Sequence, residues 1–320
     1  MAIERARGQA VRKPWGVGDL RPWNTANQDG GLVGEIWYER PGNAESAPSL
    51  LLKLLFTSQP LSIQVHPDDA YAQSMGQARG KAEAWYILNA APGAKIALGL
   101  KKSLTSRQLR EAVDDGSIAG LVAWRTVLSG DAISVPARTI HAIGAGLVIA
   151  EIQQRSDATF RMFDFGRKRD LHVANAVAVA DAVPAEADLK FKRLTDERTL
   201  LVSNTHFAFE RIELTQRAVL HLEAEHETWL LVVSGSGRAG KFDVIAGDAI
   251  FAQSDGVDLN AGPEGMTSLV ASAVVGCPAP RSLEDPAQPA AQGTGRPKVA
   301  PTSIARTKSA SAHGQIGTMQ

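Results

Sequence analysis

One cysteine, Cys277, occurs in 320 residues, so no intrachain disulfide can staple the fold and a reducing setting is expected. Net charge is also missing: 34 Lys and Arg stand against 34 Asp and Glu. Without a basic excess there is no field to gather polyanions by counterion release, and nucleic acid is not an expected partner. No apolar run approaches the ~20 residues of a membrane helix. Glu4 and Gly8 interrupt the apolar stretch that a secretory leader would need. A cytoplasmic protein without membrane contact is therefore expected. Hydrophobic residues at 44% and charged residues at 21% match an ordinary globular chain, long enough for two compact domains.

After Cys277 the large apolar side chains almost vanish, and six of the 16 prolines lie between Pro278 and Pro301. Such a segment cannot bury enough surface to offset its ordering entropy. Residues 277–320 are expected to be a disordered Pro/Ala/Ser-rich tail. Upstream, short runs of Val, Ile, Leu and Thr punctuated by Gly, Pro and Asp dominate, as in Leu61–Val65, Ala84–Leu88, Ile96–Leu98 and Leu147–Ile152. They predict strands. Leu104–Val122 instead predicts a helix, with Thr105 or Ser106 as N-cap, Leu109, Ala112 and Val113 at helical spacing and Gly116 as a stop. Asp170–Val179 predicts a second short helix. A further strand-rich block runs from Phe207 to Ala273, with turns expected at Ser234–Gly237 and Ala246–Asp248. No helices separate its strands, so two β-units in series, each a sandwich or barrel, are expected.

The chemistry gathers in three places. Gln64 and His66 are two apart in an extended run and share a face. In Gly80-Lys81-Ala82-Glu83-Ala84-Trp85-Tyr86 the alternation puts Lys81, Glu83 and Trp85 on one face and Tyr86 on the other. Val135-Pro136 through His141 then returns an imidazole from a distant strand. Gln64, His66, Glu83 and His141 together offer two nitrogens and two oxygens, a set that suits zinc. With a single carboxylate among four ligands, a dication would keep a net positive charge and favour an anionic or strongly polarised ligand. His172, His206, His221, His226 and His313 lack such a pattern and read as structural or exposed. His221, Glu223, Glu225 and Glu227 alternate as a solvated strand face would.

At this point the chain resembles the type I mannose-6-phosphate isomerases, the zinc-dependent cupin phosphomannose isomerases, in their short bacterial form. The resemblance is carried by Lys13-Pro14-Trp15-Gly16, Val33-Gly34-Glu35-Ile36-Trp37, Lys53 within Leu51–Phe56, Gln59–Asp69, Gly80–Tyr86 and His141–Arg161. It implies a mainly β fold of two tandem cupin-type β-sandwich or jelly-roll barrels with short helical insertions. Residues 1–180 would form the catalytic domain and 181–276 a degenerate cupin without a metal set. It implies interconversion of mannose 6-phosphate and fructose 6-phosphate through an enediolate, feeding mannose and GDP-mannose metabolism.

Gln64, His66, Glu83 and His141 fall at the family's zinc positions. Asp157 and Arg161, in a Ser-Asp-x-x-x-Arg segment, inherit active-site roles, and Lys53 and Lys81 occupy family lysine positions. Lys81 and Asp157 are candidates for the proton shuttle; a lysine base would need a lowered pKa, which burial and a metal would both favour. Arg161 reads as an electrostatic stabiliser. Lys53, Ser62 and Trp15 are candidate substrate contacts, while Trp37 and Trp85 read as core. Some longer members carry a histidine just before the strand lysine, where this chain has Gly80. An iron-dependent cupin oxygenase, built on His66, Glu83 and His141, and a noncatalytic sugar-phosphate-binding cupin are the alternatives.

Overall fold

The computed structural model describes residues 2–24, 30–41, 47–185 and 191–274; the tail expected over 277–320 lies outside the described residues. Three antiparallel sheets carry the chain. The six-stranded sheet runs in the order Arg7–Val17, Val33–Glu39, Leu50–Thr57, Leu147–Gln154, Glu83–Ala90, Ala132–Val135. The five-stranded sheet runs Phe160–Phe163, Ile63–Val65, His141–Ile143, Lys95–Leu100, Val122–Thr126. The third, of nine strands, holds the block from Lys192 onward together with the first strand, Ala2–Arg5, which pairs with Ala249–Gln253.

Side-chain parity explains the layering. Leu50–Thr57 is buried along its whole length, as a strand covered on both faces must be. Its even residues Leu50, Leu52, Leu54 and Phe56 join Trp229, Phe251 and Leu269 of the nine-stranded sheet in one core. Leu55 points the other way, to Trp85, Ile96, Leu98 and Ile143, so the space between the five- and six-stranded sheets is a second core. Lys53 is the lone charge of this strand and shares that inner face. A third core, Leu109, Ala112, Val113, Ala176 and Val179 against Ile63, Val65 and Met162, lies where the short helices cover the outer face of the five-stranded sheet.

The expected helix over 104–122 is two helices, Ser106–Asp114 and Ile118–Leu121, separated at Gly116, whose φ is 78°. Thr105 and Gln108 form a reciprocal capping box at the first. The second predicted helix shortens to Val173–Val179. The turn expected at Ser234–Gly237 is not a turn: Thr228–Ala239 runs straight through it as one strand. The glycines serve register shifts between Val232 and Ser234 and between Gly235 and Gly237 instead. Glu227, expected on a solvated face, is buried; its carboxylate accepts from the Ser49 and Leu50 amides, the Ser49 hydroxyl and the Trp229 indole. Among the described residues no helix is long and apolar enough to cross a membrane.

Candidate metal centre

Two rows of side chains face each other across the inner space. On the five-stranded sheet, Arg161 pairs with Gln64 and Gln64 with His141. On the six-stranded sheet the register runs Trp37, Lys53, Glu151, Trp85, and Gln153 pairs with Glu83 one step along. Strand alternation thus delivers polar groups from both sheets to one pocket of about 340 Å³, lined by Gln64, Arg161, Lys53, Glu151, Trp85 and Glu83 of these rows together with Lys13, Trp15, Glu35, Trp37, Ser62, Asp157 and Arg169.

His66, Glu83 and His141 converge where Glu83 meets the pocket, their ligand atoms within 4.8 Å of one another and all three residues buried. Each histidine spends its outer nitrogen on a carbonyl, His66 Nδ1–H on Ala158 O at 2.8 Å and His141 Nδ1–H on Thr139 O at 2.9 Å. Both Nε2 atoms are left facing inward as lone-pair donors, the tautomer that ligation requires. Burial, and then the charge of Lys81, pushes His66 down to about 3, and burial lowers His141 as well, so both rings are neutral at neutral pH. Burial alone would raise the Glu83 carboxyl, but Lys81 and His66 outweigh it and hold it well below its ordinary value. Glu83 Oε1 lies 2.7 Å from Lys81 Nζ and 3.2 Å from His66 Nε2, yet no neighbour gives it an aligned hydrogen bond among the described residues. Two inward lone pairs and an unsaturated buried carboxylate oxygen fit a metal ion. The Gln64 amide lies 3.3 Å from His141 Nε2, with Oε1 accepting from Ser62; a flip of the amide plane would present the oxygen to the same point.

Lys81 departs from expectation. Burial would lower its pKa, but Glu83 and Glu151 outweigh burial and raise it, so the ammonium keeps its charge. The lysine that is lowered is Lys53, chiefly by burial. It lies 2.6 Å from Gln153 Oε1, 3.4 Å from Glu151 and 4.8 Å from the centre of the Trp37 ring. Glu151, opposite it, is pushed up to about 7 by burial and then by Glu83. Sequence reasoning gave Glu151 no role, although an acid inside the apolar run Leu147–Ile152 was a signal. Trp37 and Trp85, read as core, both line the pocket. Arg161 donates from Nη1 to Asp170 O at 2.7 Å and leaves a buried Nε without a partner among the described residues.

Gly80 has a steric reason. A Cβ there would come within 2.4 Å of the Asp68 carbonyl carbon and 2.6 Å of Pro67 O. The backbone after His66 is thereby packed directly against the residue before Lys81, and no histidine could stand at this position without moving the ligand segment.

No protein-family model matches the chain. It is 36% identical over 210 residues to the mannose-6-phosphate isomerase of Streptococcus mutans, a match covering 62% of this chain and 65%, just under two thirds, of that protein. It is 31% identical over 252 residues to the probable mannose-6-phosphate isomerase GmuF of Bacillus subtilis, covering 72% of this chain and 78% of that one. The crystal structure of a mannose 6-phosphate isomerase from Bacillus subtilis superposes with a TM-score of 0.73 at 22% identity, over 85% of this chain and 99% of that chain, which fixes the fold as that of these cupin enzymes. On the extent of these matches, the chain belongs to the mannose-6-phosphate isomerase family.

Proposed function

We propose that this chain is a zinc-dependent aldose–ketose isomerase interconverting mannose 6-phosphate and fructose 6-phosphate. The observation that carries it is the convergence of two neutral imidazole nitrogens on a Glu83 oxygen without an aligned hydrogen bond, on the same sheet as Glu151, whose carboxyl burial pushes up to about 7. Moving a proton between adjacent carbons needs a Lewis acid and a group able to take and return that proton, with no redox change. The names of the relatives point the same way. His66, His141 and Glu83, with Gln64 as fourth ligand, form a nitrogen and oxygen set suited to zinc.

When bound, the ion supplies Lewis-acid stabilisation of the charge that builds on the sugar oxygens at the first two carbons. Glu151 carries the proton between those carbons, because a carboxyl held near 7 exchanges it readily at working pH. Lys53, pressed by burial toward its neutral form at 3.4 Å, tunes that exchange. Lys81 stays charged and balances Glu83, and Asp157 at the pocket wall is the second candidate for the shuttle. Arg161, across the sheet register from Gln64, stabilises developing negative charge. Ser62, Trp15 and Lys53 contact the substrate. Catalysis is assigned to residues 1–180, since the ligands and every lining residue fall between Lys13 and Arg169; the nine-stranded sheet packs against the six-stranded sheet from behind.

The test is a coupled assay converting mannose 6-phosphate to fructose 6-phosphate, run with and without chelator, with metal analysis of the same sample. Turnover that chelation abolishes and zinc restores is expected. Full activity of metal-free protein, or tight sugar-phosphate binding without turnover, would overturn it.

A further inference from the structure

The loop after Phe160–Phe163 holds a buried carboxylate that the chemistry above does not use. Asp164 accepts from two guanidinium groups at once: from Arg167 Nε at 3.1 Å and Nη2 at 2.9 Å, and from Arg169 Nε at 2.8 Å and Nη2. Its side chain is only 2% exposed. Arg167 Nη2 also donates to Pro60 O at 2.9 Å, tying the loop to the segment that leads into Ser62 and Gln64. Both guanidiniums lie over the Trp15 indole, Arg169 at 4.9 Å and Arg167 at 5.8 Å from a ring centre. Of these three loop residues, Arg169 lines the pocket, beside Trp15 and Arg161. Trp15 is buried, and its Nε1 has no hydrogen-bond partner among the described residues.

Charge is unevenly distributed around this pocket. Lys13, Lys53 and Lys81 each face a carboxylate of their own, Glu35, Glu151 and Glu83. Asp164 sets one negative charge against two arginines, and Arg161 has spent its bond on a neutral carbonyl. Asp157 is the acid that lines the wall with Arg161 and Arg169, so counting Asp164 and Asp157 against Arg161, Arg167 and Arg169 leaves a positive surplus at the arginine end. A phosphate ester has the charge and the acceptor oxygens for a guanidinium held there.

We propose that Asp164 is a positioning residue: it fixes Arg169 across the face of Trp15 so that the guanidinium receives the phosphate group of the substrate. The proposal rests on the isomerase reading for its substrate. A free arginine must be ordered each time an anion arrives, whereas one held by a bidentate carboxylate and an aromatic face has that cost met in the fold. Asp164 itself stays outside the pocket.

The test measures two quantities in the full chain: the affinity for inorganic phosphate by calorimetry, and KM and kcat for mannose 6-phosphate. Asp164→Asn and Arg169→Met are each expected to weaken phosphate binding and raise KM by ~10-fold or more, with kcat of Asp164→Asn within about threefold of wild type. The double variant should be no weaker than Arg169→Met alone, because Asp164 acts through that arginine. Asp164→Glu keeps the charge that the two half-buried arginines pair with but displaces the carboxylate, so it should shift KM in the same direction where Asp164→Asn does not fold. Unchanged phosphate affinity in Arg169→Met, effects that add in the double variant, or a fall in kcat at native KM would overturn the proposal. Phosphate binding that depends on Arg169 in a protein without isomerase activity would strike down the isomerase reading and leave the clamp standing. Turnover with native KM in every Asp164 variant would do the reverse.

Discussion

Glu83 and His141 belong to the single group of three buried histidine and acidic side chains among the described residues whose ligand atoms lie within 4.8 Å of one another. Glu83→Ala or His141→Ala should therefore lose bound metal, while His221→Ala, whose exposed ring is paired with Asp258, should keep it; equal metal content in all three would refute the ligand set. Arg161→Ala should retain the metal, since a guanidinium does not ligate zinc, and should lower kcat by ~100- to 1,000-fold. A variant with native turnover would make Arg161 structural. Glu151→Gln keeps the shape but cannot take a proton, and at full metal occupancy its kcat should fall by ~100-fold or more. His66 and Glu83 were legible because alternation in an extended run fixes which side chains share a face, and the structure brings them together with His141; Gln64 as fourth ligand belongs to the proposal. Glu151 was not legible, since the property that matters, a carboxyl raised by burial beside Glu83, comes from strands brought together only by the fold.

At the scale of the element, local chemistry was read well where it was decided locally. Thr105, Gln108 and Gly116 start and stop a helix through their own backbone bonds and conformation. Thr105→Ala should cost about 1 kcal/mol in a denaturant melt and leave catalysis unchanged; loss of activity at native stability would contradict a purely capping role. Ser234–Gly237 misled for the complementary reason. Glycine and serine there answer to the partner strand Asp255–Ala273, where Gly235 and Gly237 let the backbones approach closely. A turn and a bulge draw on the same residues, and only the partner strand distinguishes them. The Leu50–Thr57 run was readable as a strand from its length and composition, but not that its two faces enter two different cores.

For the molecule as a whole, stability should depend on what joins the sheets. His66 and Glu83 belong to segments on opposite sides of the inner space, so the proposed ion, bound to both, would add its binding energy to the folded state. Chelation should lower the melting temperature and zinc should restore it; a melt indifferent to chelator would mean no ion bridges the sheets. Glu227 plays a related part between the six- and nine-stranded sheets. Glu227→Ala leaves four donors without an acceptor and should destabilise the chain by about 3 kcal/mol or more; a change below ~1 kcal/mol would show that water replaces the carboxylate.

The pairing of Ala2–Arg5 with Ala249–Gln253 bears on the order of events during synthesis. The first strand emerges with no partner and waits, edge exposed, while the strands that build the pocket fold against one another. Ala2 meets Gln253 only after nearly the whole described chain has left the ribosome. Loop closure over such a separation is slow, so this pairing should be among the last to form, although one of its strands is made long before the other. In that interval a half-finished chain presents both an unpaired strand and the bare Leu50, Leu52 and Leu54 face, and this is where chaperone capture or aggregation would act.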